Sequence, residues 1–154
     1  MDVPLSGASW VLLLFVQMSR VPFIKNLMTP FPFTIEGSAS LEDAEAMFDK
    51  HDISHLPVAH AGKLSGVITK HDLLRAQAER EADQLSVGDV AVSDPYVVDL
   101  HTRADEVLHE MSLRHIGSVL VTREGKLAGI YTANDAMRDF AEHLAAQEPP
   151  NTVA

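Results

Sequence analysis

Residues 53–75 and 116–138 are one string written twice. The first reads I-S-H-L-P-V-A-H-A-G-K-L-S-G-V-I-T-K-H-D-L-L-R and the second I-G-S-V-L-V-T-R-E-G-K-L-A-G-I-Y-T-A-N-D-A-M-R, aligned without a gap at a constant offset of 63 positions. Identical pairs include Val58 with Val121, Gly62 with Gly125, Gly66 with Gly129, Thr69 with Thr132, Asp72 with Asp135 and Arg75 with Arg138. Carried backwards, the offset sets Pro32 against Pro95 and Phe33 against Tyr96. A repeat on this scale constrains the fold first, because one unit must form twice. A unit of about 60 residues buries only about 60% of its unfolded surface and is marginal alone. Two of them are expected to pack sheet to sheet with pseudo-twofold symmetry around a shared core.

Each copy carries the same order of signals. A short strand comes first, Phe33–Ile35 or Tyr96–Val98. A helix follows, with apolar spacing of three and four at Leu41, Ala44, Met47 and Phe48, then at Ala104, Val107, Leu108 and Met111. Ser40-x-x-Asp43 and Thr102-x-x-Asp105 resemble capping signals, one residue out of register between copies. Two strands come next, near Leu56–Ala59 and Leu64–Ile68, then Val119–Thr122 and Leu127–Tyr131. Ala61-Gly62 and Glu124-Gly125 join them, with glycine supplying the positive φ of a tight hairpin. A second helix starts after Thr69 or Thr132, its apolar stripe clearest at Met137, Phe140, Ala141 and Leu144. The fold class is α+β, as tandem βαββα repeats. The expected division is an apolar N-terminal extension (1–24), a first repeat (25–80), a linker (81–89), a second repeat (90–146) and a flexible tail (147–154). Pro149-Pro150 stops any helix in that tail.

Trp10–Met18 is the most apolar run, and it is shorter than the roughly 20 residues a membrane span needs. Its flanks lack the basic n-region and small-residue cleavage site of a signal peptide. A docked helix or strand covering an apolar patch is the first reading. Met18 as the natural start, with residues 1–17 an upstream extension, is the second. A membrane or partner anchor is the third.

The 154 residues include no cysteine, which excludes a disulfide scaffold, a thiolate metal site and a cysteine nucleophile. The formal net charge is −10. Duplex nucleic acid is bound by neutralising phosphates with basic groups, so this balance argues against it and against an anionic membrane surface. Eight histidines (His51, His55, His60, His71, His101, His109, His115 and His143) invite a metal reading. They show no zinc-type spacing, and solvated surface positions explain them better. Nucleophile-elbow, phosphate-loop and dinucleotide-loop motifs are absent, so no enzyme is expected. Glu42, Asp43, Glu45 and Asp49 read as a solvated helix face.

The chain resembles a stand-alone tandem pair of CBS domains over about residues 25–143. The resemblance rests on Leu27-Met28-Thr29-Pro30, on His55-Leu56-Pro57-Val58, and on Gly62-Lys63-Leu64-x-Gly66-Val67-Ile68-Thr69-x-x-Asp72 with its copy Gly125-Lys126-Leu127-x-Gly129-Ile130-Tyr131-Thr132-x-x-Asp135. It implies a regulatory module binding an adenosine-containing ligand between the copies: AMP, ADP, ATP or S-adenosylmethionine. It also implies a homodimer, a regulated protein partner of unknown identity and a cytoplasmic location, with no obligatory cofactor. A structural or interaction module with degenerate, empty clefts is the alternative.

Thr69-x-x-Asp72 and Thr132-x-x-Asp135 first read as capping boxes, worth about 0.5–2 kcal/mol each. The same geometry offers helix N–H groups to a phosphate and a carboxylate to ribose hydroxyls. By the resemblance, Thr29 and Thr34 serve the cleft of Thr132, Asn134 and Asp135. Their counterparts Val92 and Val97 serve the cleft of Thr69, His71 and Asp72. The first cleft is the more polar and is favoured for occupancy. Ser54, His55, Leu56 and Pro57, with Gly117, Ser118 and Val119, would line the adenine and phosphate region. Leu56, Pro57 and Val119 would flank the base, against ordinary core packing as the alternative. The family often places a basic pair before the second strand, and this chain has Ser54-His55 and Gly117-Ser118 there. A nucleoside, a monophosphate or S-adenosylmethionine therefore fits better than a tightly held triphosphate.

Overall fold

A computed structural model describes residues 20–147. The readings of Trp10–Met18 and of Pro149-Pro150 lie outside the described residues. The first copy runs β2 (Ile35–Glu36), α1 (Leu41–His51), β3 (His55–His60), β4 (Lys63–Thr69) and α2 (Lys70–Gln77). The second runs β5 (Val97–Asp99), α4 (Ala104–Arg114), β6 (Ser118–Arg123), β7 (Lys126–Thr132) and α5 (Ala133–Ala145). Ahead of the copies stand β1 (Thr29–Pro30) and α3 (Val87–Val90) respectively. The strands β2 and β5 start later than the sequence suggests. The rings of Phe33 and Tyr96 are engaged outside the ladder, Phe33 stacked on His51 and Tyr96 beneath the Arg114 guanidinium.

Within each copy the pairing is the same. The strand β2 runs parallel to β3, and β5 parallel to β6. The hairpins β3–β4 and β6–β7 are antiparallel, each with a bulge at the equivalent place, Val58/Ala59 and Val121/Thr122. Both central turn residues have positive φ, 49° and 76° at Ala61-Gly62 and 51° and 75° at Glu124-Gly125. That geometry matches the right-handed twist of the flanking strands.

The copies then exchange their lead-in segments. The strand β1, which precedes the first copy, pairs antiparallel with β7 of the second, with Thr29 opposite Ile130, giving the order β1-β7-β6-β5. At the equivalent position Val92 bridges Val67 on the edge of the sheet β2-β3-β4. The close approach explains two of the repeated glycines. A Cβ on Gly66 would stand 2.5 Å from the Val92 carbonyl oxygen, and one on Gly129 would overlap the Met28 side chain. The Ile24 N–H donates to the Thr102 carbonyl at 2.8 Å, and the Val87 N–H to the Ala39 carbonyl at 2.9 Å. Ile24 is fully buried among Val107, Met111, Val119, Val121 and Tyr131 of the second copy. Val87 is fully buried among Leu41, Phe48, Leu56 and Ile68 of the first. Between the sheets lie Val67, Leu120 and Ile130, with Leu64 and Leu127 beside them. The exchanged segments and this seam make the expected pseudo-twofold pair.

One local expectation is corrected. Ser40 and Asp43 do form a capping box on α1. Thr102 does not cap α4, whose N-cap is Arg103 with no side-chain cap. Arg103 draws Asp105 into a bidentate pair at 3.0 and 2.8 Å, so the carboxylate is spent there. The apolar stripe of α5 exists but is not buried: Met137, Phe140 and Leu144 keep 65%, 61% and 49% of their surface exposed. In the first copy the Gln77 amide donates to the Glu45 carboxylate at 3.1 Å and ties α2 to α1. The 63-residue offset replaces that polar pair with Phe140 and Leu108, which are both exposed.

Candidate functional site

Because β1 crosses to the second copy, residues just after it hang over the start of α5. There they enclose a cavity of about 370 Å3, within the range of small-molecule sites, about 300–1,000 Å3. The lead-in segment contributes Thr29, Pro30, Phe31, Pro32 and Phe33. The α1–β3 loop contributes Asp52, Ile53, Ser54 and His55, and the second copy contributes Ile130, Thr132, Asn134, Asp135 and Arg138. Both copies are needed to build it.

Thr132 ends β7 in an extended conformation and caps α5. Its hydroxyl accepts from the Asp135 N–H at 3.1 Å, while Asp135 Oδ2 accepts from the Thr132 N–H at 2.9 Å and from its hydroxyl at 2.8 Å. Asp135 therefore divides its labour by atom. Oδ2 holds the cap, and Oδ1 meets the Arg138 guanidinium at 3.1 Å. Arg138 also lies 3.5 Å from Asp139, and these carboxylates raise its pKa. Thr132 at the helix start, Asp135 and Arg138 thus line the same space.

Asp52 closes α1 in the left-handed region, which turns the chain sharply into Ser54 and His55. The His55 imidazole hydrogen-bonds the Ser54 hydroxyl through Nδ1 at 3.2 Å. Its Nε2 lies 3.0 Å from where a Cβ on Gly117 would stand, so the ring of one copy lies against the bare backbone of the other. Burial lowers its pKa, and the negative charges of Asp72 and Asp135 partly oppose that. His55 is thus held neutral further into the acid range than a free imidazole. The unfolded chain takes up this proton first as pH falls, so stability is full above the ordinary histidine pKa of about 6.5 and declines below it. Urea titrations from pH 7.5 to 5 should show that decline, and His55→Gln should flatten it. An unchanged pH slope in His55→Gln would contradict the assignment.

The cavity brings together Thr29, Ser54, His55, Thr132, Asn134 and Asp135 of the sequence-derived set. Thr34 is exposed and does not line it. Leu56 and Val119 are fully buried in the two cores and Pro57 is buried in β3, which is the core-packing alternative for all three. The apolar lining comes instead from Pro30 to Phe33, Ile53 and Ile130. Thr69, His71, Asp72, Val97, Gly117 and Ser118 lie outside this cavity. Asp72 caps α2 through the same bonds as Asp135, with Thr69 N–H at 3.2 Å and Oγ1 at 2.6 Å. His71 is exposed, and Val97 pairs with Leu120 in the sheet. Phe31, Phe33 and Arg138 were not apparent from the sequence. Arg138 left one signal, its identity with Arg75 one turn after each repeated aspartate.

Among the described residues no group of three or more histidines or carboxylates is placed to hold a metal ion, and no helix is long and apolar enough to cross a membrane.

A family model for the CBS domain matches residues 24–79 and 87–142. The L-aspartate semialdehyde sulfurtransferase of Methanocaldococcus jannaschii is 27% identical over 124 residues, taking in 79% of this chain and 24% of that enzyme. This chain spans about a quarter of the length of the first curated relatives it matches. The CBS domain pair of protein MJ0100, solved with 5′-methylthioadenosine and S-adenosyl-L-methionine, superposes with a TM-score of 0.74 at 26% identity, over 80% of this chain and 99% of that one. The CBS domain of a bacterial CNNM/CorC family Mg2+ transporter, solved with ATP, gives 0.69 at 28% identity, over 77% and 87%.

Proposed function

Since the chain belongs to the CBS-domain family, with two copies in tandem, we propose that it is a regulatory sensor of an adenosine-containing molecule. The ligand occupies the cavity between the lead-in segment of the first copy and the start of α5. The observation that carries this reading is Asp135, which lines the cavity with Oδ2 kept by the cap and Oδ1 shared only with the exposed Arg138 guanidinium. A ribose diol needs such an acceptor, and the helix N-terminus beside it favours an anion. The two structures solved with adenosine compounds support the ligand class. Arg138 is set against Asp52 and Asp135 in the lining, so the charge suits a nucleoside, a monophosphate or a sulfonium such as S-adenosylmethionine better than a triphosphate. The ligand touches both copies, so it favours one relative arrangement of them, and a partner that discriminates between arrangements reads its presence. Titration calorimetry with adenosine, AMP, ADP, ATP and S-adenosylmethionine tests this directly. Binding of one of them with a stoichiometry near one per chain supports it. No heat with any of them at millimolar concentration would favour an interaction module with empty clefts.

The same reading includes a homodimer. Among the described residues, Met137, Phe140 and Leu144 on α5, with Leu108 on α4, are exposed apolar side chains of the kind that mark an interaction surface. Sedimentation equilibrium should give twice the monomer mass, and Phe140→Glu should return it to one. A wild-type chain that is monomeric at micromolar concentration would remove the dimer from the proposal.

A further inference from the structure

We propose that Phe31 is the specificity-determining residue of this cavity: its ring covers the flat face of the bound heterocycle and makes the first cleft select ligands that carry an aromatic base. This rests on the adenosine reading above and deepens it by naming the group that recognises the base.

Phe31 stands against two ordinary preferences at once. Its φ is 50°, a region that bulky side chains rarely adopt. The residue keeps 90% of its surface exposed, more than any other large apolar residue among those described. Neither arrangement helps the ligand-free fold. What fixes the backbone is the Phe31 N–H bond to the Ala128 carbonyl at 3.0 Å, with β1 anchored just before it and Pro32 just after. Strain that surrounding structure enforces tends to mark a position where it is used. Here the strained residue borders the cavity.

The aromatic neighbour explains the division of roles. Phe33 also lines the cavity, but its ring is already stacked on His51 at 3.7 Å with 19° between the planes. Phe33 is therefore a fixed wall, while no ring among the described residues stacks on Phe31. A planar aromatic heterocycle is the chemistry that such an exposed ring receives, and any base can stack on it. The repeat offers an internal comparison. At the offset of 63, Tyr96 replaces Phe33 and is likewise held, by the Arg114 guanidinium 5.2 Å from its ring centre. Asp94 replaces Phe31. The second cleft keeps the fixed ring and lacks the cover, so the recognition of a base belongs to the first.

The test compares Phe31→Gly, Phe31→Asp and Phe31→Leu with the full wild-type chain. The probes are AMP, S-adenosylmethionine and, as a base-free control, ribose 5-phosphate. Glycine and aspartate accept the left-handed backbone, so those variants fold, and their ligand-free melting midpoints should rise. Their affinity for AMP or S-adenosylmethionine should fall by about tenfold or more, the scale of one base–aromatic stack. Any binding of ribose 5-phosphate should not change. Phe31→Leu should lose affinity without gaining stability. Unchanged affinity for the adenosine ligands in both Phe31→Gly and Phe31→Asp would overturn the assignment and leave the sensor reading intact, as would an equal loss for the base-free control. Failure of the wild-type chain to bind any adenosine ligand would remove the sensor reading, and this inference with it.

Discussion

Asp135→Ala should abolish the rise in melting midpoint that an adenosine ligand produces, and Asp72→Ala should preserve most of it. A ligand that binds only the native state at 100 times its dissociation constant adds about 2.7 kcal/mol. For a chain of this size that is on the order of 5–15 °C. Both aspartates cap a helix by the same three bonds, so both variants should start from a lower ligand-free midpoint, by about 0.5–2 kcal/mol each. The ligand-dependent shift is therefore the quantity to compare. The expected asymmetry comes from what surrounds each carboxylate. Asp135 shares its cavity with Thr29, Asn134 and Arg138. Across from Asp72, the residue equivalent to Thr29 is Val92, whose backbone is used in the bridge to Val67 and whose side chain offers no hydrogen bond. Equal loss in the two variants would mean that both clefts fill. Loss in Asp72→Ala alone would place the ligand in the other cleft.

The architecture was legible because the repeat states it twice. Each hairpin, each Thr-x-x-Asp cap and each βαββα order could be checked against a second copy, and local signals that agree at both positions reflect the fold rather than chance. Ser40-x-x-Asp43 and Thr102-x-x-Asp105 were out of register by one residue, and that mismatch was the warning. The shifted aspartate found Arg103 beside it and left the cap. The cavity lining was half legible. Asp135 and Thr132 are set by local geometry, a strand end turning into a helix, which sequence spacing records directly. Phe31, Phe33 and Arg138 depend on where β1 crosses and which way α5 faces, and apart from the repeated arginine no local pattern points to them. That Leu56, Pro57 and Val119 lie in the cores and not in the cavity lining has the same origin. Strand alternation says that a residue is covered, without saying whether by a ligand or by a helix. Here α1 and α4 cover the two faces, and the cavity wall falls to the lead-in segment.

Ile24→Ala should be among the most destabilising single changes outside the repeats' own strands and helices, and its damage should appear in the copy to which Ile24 does not belong. Ile24 lies in a three-residue turn, a context that usually tolerates substitution. Its side chain is fully buried against Val107, Val119 and Tyr131, all from the second copy. Truncating a buried isoleucine costs about 2–5 kcal/mol, a large share of a typical total stability of about 5–15 kcal/mol. Val87→Ala makes the reciprocal change in the core of the first copy and removes less, so it should cost less. Urea unfolding would give the two magnitudes, and native-state hydrogen exchange would give their direction. Faster exchange in β6 and β7 for Ile24→Ala, and in β3 and β4 for Val87→Ala, is the expected pattern, tempered by the seam of Val67, Leu120 and Ile130 that joins the sheets. The reverse pattern would show that the lead-in segments belong to their own copies. Ile24→Ala should also weaken ligand binding without touching the ligand, because Ile24 anchors the segment that continues through Thr29 to Phe33. The exchange of lead-in segments thus links the two properties: the contact that completes the second core also holds one wall of the cavity.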